Sequence, residues 1–105
     1  MEAKFGLSPQ DIHLIQHLMA QYPAITQAII FGSRAKGNYR PGSDVDIALE
    51  GNNIQAQTIS LIRDYLNEET LMPYHFDVLN LQTLTEEKLR AHITRVGKVI
   101  YSKMA

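Results

Sequence analysis

Residues 32–48 read Gly32-Ser33-Arg34-Ala35-Lys36-Gly37-Asn38-Tyr39-Arg40-Pro41-Gly42-Ser43-Asp44-Val45-Asp46-Ile47-Ala48. The first twelve hold three glycines, a proline and three cations, the composition of a loop with room for one helical turn. From Asp44 the pattern becomes a strand, predicted over 44–50. Val45, Ile47 and Leu49 fall on one face, and Asp44, Asp46 and Ala48 on the other. Two carboxylates at i and i+2 therefore project together, with Cα atoms about 6.5 Å apart. Taken alone, an Asp-x-Asp pair is compatible with a solvated strand face. Such a pair also suits a hard divalent cation, which binds through a few carboxylates and offsets the repulsion of like charges this close; by itself the motif recurs more often by accident.

The flanking sequence supplies the rest of the fold. Ser8-Pro9-Gln10-Asp11 combines an N-cap hydroxyl, a proline at the first helical position and an acid three residues after the cap. Ile12, Ile15, Met19 and Tyr22 continue at helical spacing up to Pro23. Ala28-Ile29-Ile30-Phe31 predicts a short buried strand ending at Gly32-Ser33. After the Gly51-Asn52-Asn53 turn, Ile54, Thr58, Leu61, Ile62, Tyr65 and Leu66 mark an amphipathic helix. A third strand is predicted over 74–81, with His75, Asp77 and Leu79 opposite Phe76, Val78 and Asn80. Asp77, between Phe76 and Val78, reads by itself as an acid on a strand, more often solvated than functional; buried there, it would need a partner. Thr85 is the expected N-cap of a last helix stopped by Gly97, and 98–102 predicts an edge strand. The order α-β-β-α-β-α-β predicts an α/β (α+β) domain: a mixed sheet with helices packed on one side.

Composition narrows the function. Ten Lys and Arg against eleven Asp and Glu leave a net charge of −1, without the basic excess expected of a protein that binds nucleic-acid phosphates. Cysteine is absent, which removes disulfides and thiolate metal sites. The longest apolar run, residues 28–31, is too short for a membrane span or a signal-peptide core. A single cytoplasmic domain over residues 1–105 is expected.

The loop joins this chemistry to the carboxylates. Gly32 lets backbone approach a ligand closely, Ser33 offers a hydroxyl and an amide to phosphate oxygens, and Arg34, Lys36 and Arg40 supply positive charge. Each has an ordinary reading as a turn residue or a solvated cation. Together with Asp44 and Asp46 they fall within 15 residues, and a metal-bound polyphosphate needs both halves. Gly32 and Gly37 have the spacing of a Walker A loop, but Asn38 and Tyr39 stand where its Lys and Ser or Thr belong, so that reading fails. His75 shares a predicted face with Asp77. His13, His17 and His92 read as half-exposed helical positions, and Tyr39 as either a base-stacking or a loop aromatic.

The run Gly32-Ser33-Arg34-Ala35-Lys36-Gly37 followed by Ser43-Asp44-Val45-Asp46-Ile47-Ala48 resembles the signature of the minimal nucleotidyltransferases of the DNA polymerase β-like superfamily. The resemblance implies the nucleotidyltransferase fold, a third carboxylate supplied by Asp77, and two Mg²⁺ ions held by Asp44, Asp46 and Asp77. It further implies ATP as substrate, with Gly32, Ser33, Arg34, Lys36 and Arg40 around its phosphates. The usual partner in that family is a HEPN-domain toxin, so the implied role is that of an antitoxin adenylylating a tyrosine of its toxin. Larger relatives carry an added helical domain for the acceptor. This chain has some 28 residues after Asp77, taken up by the last helix and strand, which leaves a shallow surface, a second copy of the chain or another protein to hold the acceptor. Two other readings stay open: neutralisation of the partner by contact with a vestigial nucleotide site, and nucleotidyl transfer to a small molecule.

Overall fold

A computed structural model describes residues 4–103; residues 1–3 and 104–105 of the expected domain lie outside the described span. Helix α1 (Pro9–Ala20) starts as its sequence dictates. The Ser8 hydroxyl accepts from the Asp11 N–H at 3.1 Å, and the Asp11 carboxylate accepts from the Ser8 N–H at 3.2 Å. Strand β1 (Ile25–Phe31) begins three residues before its apolar run. Thr26 and Gln27 are recruited because β1 is central, with neighbours on both edges. Helix α2 (Gly32–Lys36) occupies the start of the loop and ends at Gly37, whose φ of 89° is a left-handed cap. Then follow β2 (Val45–Gly51), α3 (Ala56–Glu68), β3 (Phe76–Asn80), a 3-10 turn over Leu81–Thr83, α4 (Glu87–Val96) and β4 (Lys98–Ser102).

The sheet order is β3-β2-β1-β4, with β1 antiparallel to β2 and β4 and β2 parallel to β3. A parallel pair needs a crossover, and α3 provides it. The mixed α+β sheet expected from the sequence is thus present. Helices α1 and α3 bury Ile15, Met19, Ile62 and Leu66 against Val45, Ile47, Leu49, Phe76 and Val78 on one face. The expectation that all helices lie on one side needs correction. Ile93 and Leu89 of α4 pack against Ile29, Phe31, Ala48 and Leu79 on the other face. The alternation of β2 and β3 hid this, because on that face Ala48 and Leu79 stand among Asp44, Asp46, Glu50, His75 and Asp77. Helix α4 also starts later than Thr85 implies: Glu86 is its N-cap and makes no side-chain capping bond.

On the outer edge of β3, Asn67 of α3 replaces a neighbouring strand. Its amide accepts from the Phe76 N–H at 2.8 Å and donates to the Phe76 carbonyl at 3.0 Å. Edge backbone is thereby satisfied next to Asp77. Among the described residues no helix is long and apolar enough to cross a membrane. Replacing Asn67 with Ala leaves both Phe76 backbone groups without this partner. It is expected to lower stability by about 1–3 kcal/mol in urea titrations.

Candidate active site

Register brings the acids together. Asp46 lies opposite Phe31 on β1 and beside Asp77 on β3, so the end of β1 and the starts of β2 and β3 meet at one edge of the α4-covered face. Asp44 precedes β2 and is exposed, Asp46 is half-buried, and Asp77 is exposed. Asp77 meets solvent, as an acid on a strand most often does. Phe76 and Val78 point into the core on the opposite face, as strand alternation requires, and leave Asp77 at the rim. One ligand atom each from Asp44, His75 and Asp77 forms a group in which all lie within 4.8 Å of one another. His75 Nε2 stands 3.7 Å from an Asp77 oxygen.

Asp46 is the strained member. Burial pushes its carboxyl above the ordinary value of 3.8, and the charges of Asp77 and then Asp44 push the same way; Arg34 and His75 offset part of this. Gly32 makes the space for it. A Cβ at Gly32 would collide with the Asp46 carboxylate, and the φ of 73° there is one that glycine adopts freely.

The loop is pinned from inside by Arg34, which Tyr39 and Tyr74 flank. Arg34, expected among the phosphate-binding cations, is 2% exposed and turned inward. Its Nε and Nη2 both donate to the Ser43 carbonyl, at 3.1 and 2.8 Å, and Nη1 donates to the Phe5 carbonyl at 2.8 Å. The rings of Tyr74 and Tyr39 lie 4.8 and 5.2 Å from the guanidinium carbon. Tyr39 therefore stacks on Arg34, as a loop aromatic. Lys36 and Arg40 remain exposed on the loop, and Ser33 is half-buried.

His92 was legible only as a half-exposed helical residue. In the fold its Nε2 accepts the Gly32 N–H at 3.2 Å, and its ring meets Phe31 edge to face. Nothing in the local sequence of α4 announces this contact, which depends on α4 crossing the second face.

These carboxylates offer the hard oxygen donors that Mg²⁺ takes, clustered without a neutralising salt bridge from Lys or Arg among the described residues. The group fits a divalent cation, and the raised carboxyl of Asp46 marks negative charge that such an ion would relieve. The cluster stands on open surface. A groove of about 520 Å³ between α1 and β4, lined by His13, His17 and Tyr101 among others, shares no residue with it.

Fold and site together define a nucleotidyltransferase domain: residues 13–105 match the family described as "Polymerase beta, Nucleotidyltransferase", and the chain belongs to it. The resemblance carried by the Gly-Ser and Asp-x-Asp pattern thus holds. Among its relatives is the Haemophilus influenzae protein named "Probable protein adenylyltransferase MntA". It is 30% identical over 105 residues, covering 96% of this chain and 88% of the relative. Two solved structures share the fold. One, of a toxin–antitoxin with AMP-PNP, matches at a TM-score of 0.69 and 20% identity, over 86% of this chain and 71% of that one. The other, of the MntA–HepT toxin–antitoxin, matches at 0.59 and 15%, over 87% and 73%.

Two substitutions test this geometry. Arg34→Lys keeps the charge but loses the planar fork, and is expected to cost about 2–3 kcal/mol in chemical denaturation. Asp46→Asn should raise the Tm of the metal-free protein at pH 7. The carboxyl is raised in the folded state, so its ionisation destabilises the fold once pH rises above 3.8, and the penalty persists at neutral pH. Well below 3.8 the wild-type group is protonated in both states, and the advantage of the variant should vanish in the same scans.

Proposed function

We propose that this chain transfers AMP from ATP to a tyrosine hydroxyl of a HEPN-domain toxin and acts as its antitoxin in the cytoplasm. The observation that carries this reading is the register that sets Asp46 beside Asp77 and against Gly32, with Asp44 adjoining. Support comes from the relative named as a protein adenylyltransferase and from fold neighbours that are toxin–antitoxin structures, one of them holding AMP-PNP. Exposure of Asp44 and Asp77 suits a protein acceptor, which brings its own walls, better than a small molecule, which needs a concave site.

In this reading Asp44, Asp46 and Asp77 hold two Mg²⁺ ions. When bound, these ions neutralise triphosphate charge and lower the pKa of the acceptor hydroxyl. Ser33 donates its hydroxyl and amide to the phosphate oxygens, Gly32 lets them approach the backbone, and Lys36 and Arg40 add positive charge from the exposed loop. Arg34 serves the phosphates indirectly, by fixing the loop that presents these donors. An Asp77 carboxylate oxygen takes the proton of the acceptor hydroxyl as the hydroxyl's own oxygen bonds to the α-phosphorus. The bond to the β-bridging oxygen breaks, and pyrophosphate leaves with the electron pair. Positioning and charge neutralisation account for most of the acceleration, as in other phosphoryl transfers.

With Mg²⁺, labelled ATP and the partner toxin, the purified chain should label the toxin. Asp44→Asn and Asp46→Asn should each reduce labelling about 100-fold or more while circular dichroism stays native. Equal labelling by both variants would refute the assignment. Full protection of cells by the inactive variants would instead identify contact as the means of neutralisation.

A further inference from the structure

The group of close donor atoms at the site contains an imidazole that the three-carboxylate pattern does not include. His75 and Asp77 are two residues apart at the start of β3, so their side chains leave the same face. The His75 carbonyl accepts the Val45 N–H at 2.8 Å, which ties the His75 backbone to β2 directly beside Asp44. Its Nε2 lies 3.7 Å from Asp77 Oδ1, too far for a hydrogen bond, so the ring nitrogen is not committed to that carboxylate. Asp46, by contrast, is half-buried with its carboxylate against Gly32. The three mutually close donor atoms are therefore those of Asp44, His75 and Asp77, within 4.8 Å. Two ligands on opposite sides of one divalent ion are about 4.2 Å apart, and adjacent ones about 3 Å, so rotamer adjustment alone closes the set.

We propose that His75 contributes a ring nitrogen to a divalent-cation site shared with Asp44 and Asp77, and that this mixed nitrogen–oxygen set biases the site towards Mn²⁺ and later transition ions. The inference rests on the nucleotidyltransferase reading, which supplies the reason for a cation here. Imidazole is a poor match for Mg²⁺, which takes oxygen ligands and keeps its waters. Borderline transition ions accept imidazole readily and bind nitrogen with rising affinity from Mn²⁺ onwards. An all-carboxylate site has no such preference built into its ligands. His75 is the one residue of the group whose replacement would change selectivity without removing charge needed to hold the ion.

The test uses the full chain with Mn²⁺ and inorganic triphosphate, a probe that contains no nitrogen. Pulsed electron paramagnetic resonance of bound Mn²⁺ should show coupling to a protein nitrogen, and His75→Asn should abolish it. Because the His75 side chain is 61% exposed, that variant should fold normally. Mn²⁺ affinity should fall about tenfold or more, the scale on which even indirect ligand support acts, while Mg²⁺ affinity changes less than about twofold. Bound Mn²⁺ with no nitrogen coupling, or an unchanged Mn²⁺ affinity in the variant, would overturn the role of His75 and leave the nucleotidyltransferase reading intact. Failure of the wild type to bind either ion with triphosphate would overturn both.

Discussion

The geometry of the site depends on one buried cation. The guanidinium of Arg34 directs two N–H groups at the Ser43 carbonyl and a third at the Phe5 carbonyl, between the faces of Tyr39 and Tyr74. A charge with so little exposure is tolerable only when its donors are satisfied, and here carbonyl oxygens and ring faces do this in place of a carboxylate. The Ser43 carbonyl belongs to the peptide that leads into Asp44. Holding it fixes where the chain re-enters the sheet after the loop, and so where Asp44 stands relative to Asp46. The same ring of Tyr74 sends its hydroxyl to Asp11 at 3.3 Å, joining the loop to the capping box of α1.

Around this fixed loop the fold accepts a local cost. Asp46 is drawn between Gly32 and Asp77, partly out of water and near two like charges, and its carboxyl rises accordingly. A core-minded sequence would place a neutral residue there. The trade of stability for a charged cluster is common where function needs a destabilised group. Helix α4 serves the same end from the other side. It covers Ile29, Phe31, Ala48 and Leu79, stops short of the acids, and hands His92 to the Gly32 N–H. The face is therefore dry along the strands and wet at the tip, where Asp44 and Asp77 meet solvent.

Much of this was legible in one dimension because strands and helices impose fixed periods. Alternation along residues 44–50 separated Val45, Ile47 and Leu49 from Asp44, Asp46 and Ala48, and the fold keeps that division. Ser8, Pro9 and Asp11 announced α1 because capping is a contact between near neighbours. Arg34 was misread for the complementary reason. Nothing local tells a loop arginine to turn inward, since Phe5 and Tyr74 lie 29 and 40 positions away in the chain. His92 was passed over because its partner lies 60 positions earlier.

The sequence by itself determined the elements, the pairing of Asp44 with Asp46 on one face, and the proximity of a Gly-Ser turn to that pair. Those are short-range consequences of backbone period and turn chemistry. Only the tertiary structure decided that α4 covers the second face, that Arg34 is a clamp and not a free cation, that His92 holds Gly32, and that Asp44 meets the His75–Asp77 pair. Each of these is a contact between segments far apart in the chain. Its existence depends on strand order and register, which no local pattern of residues encodes.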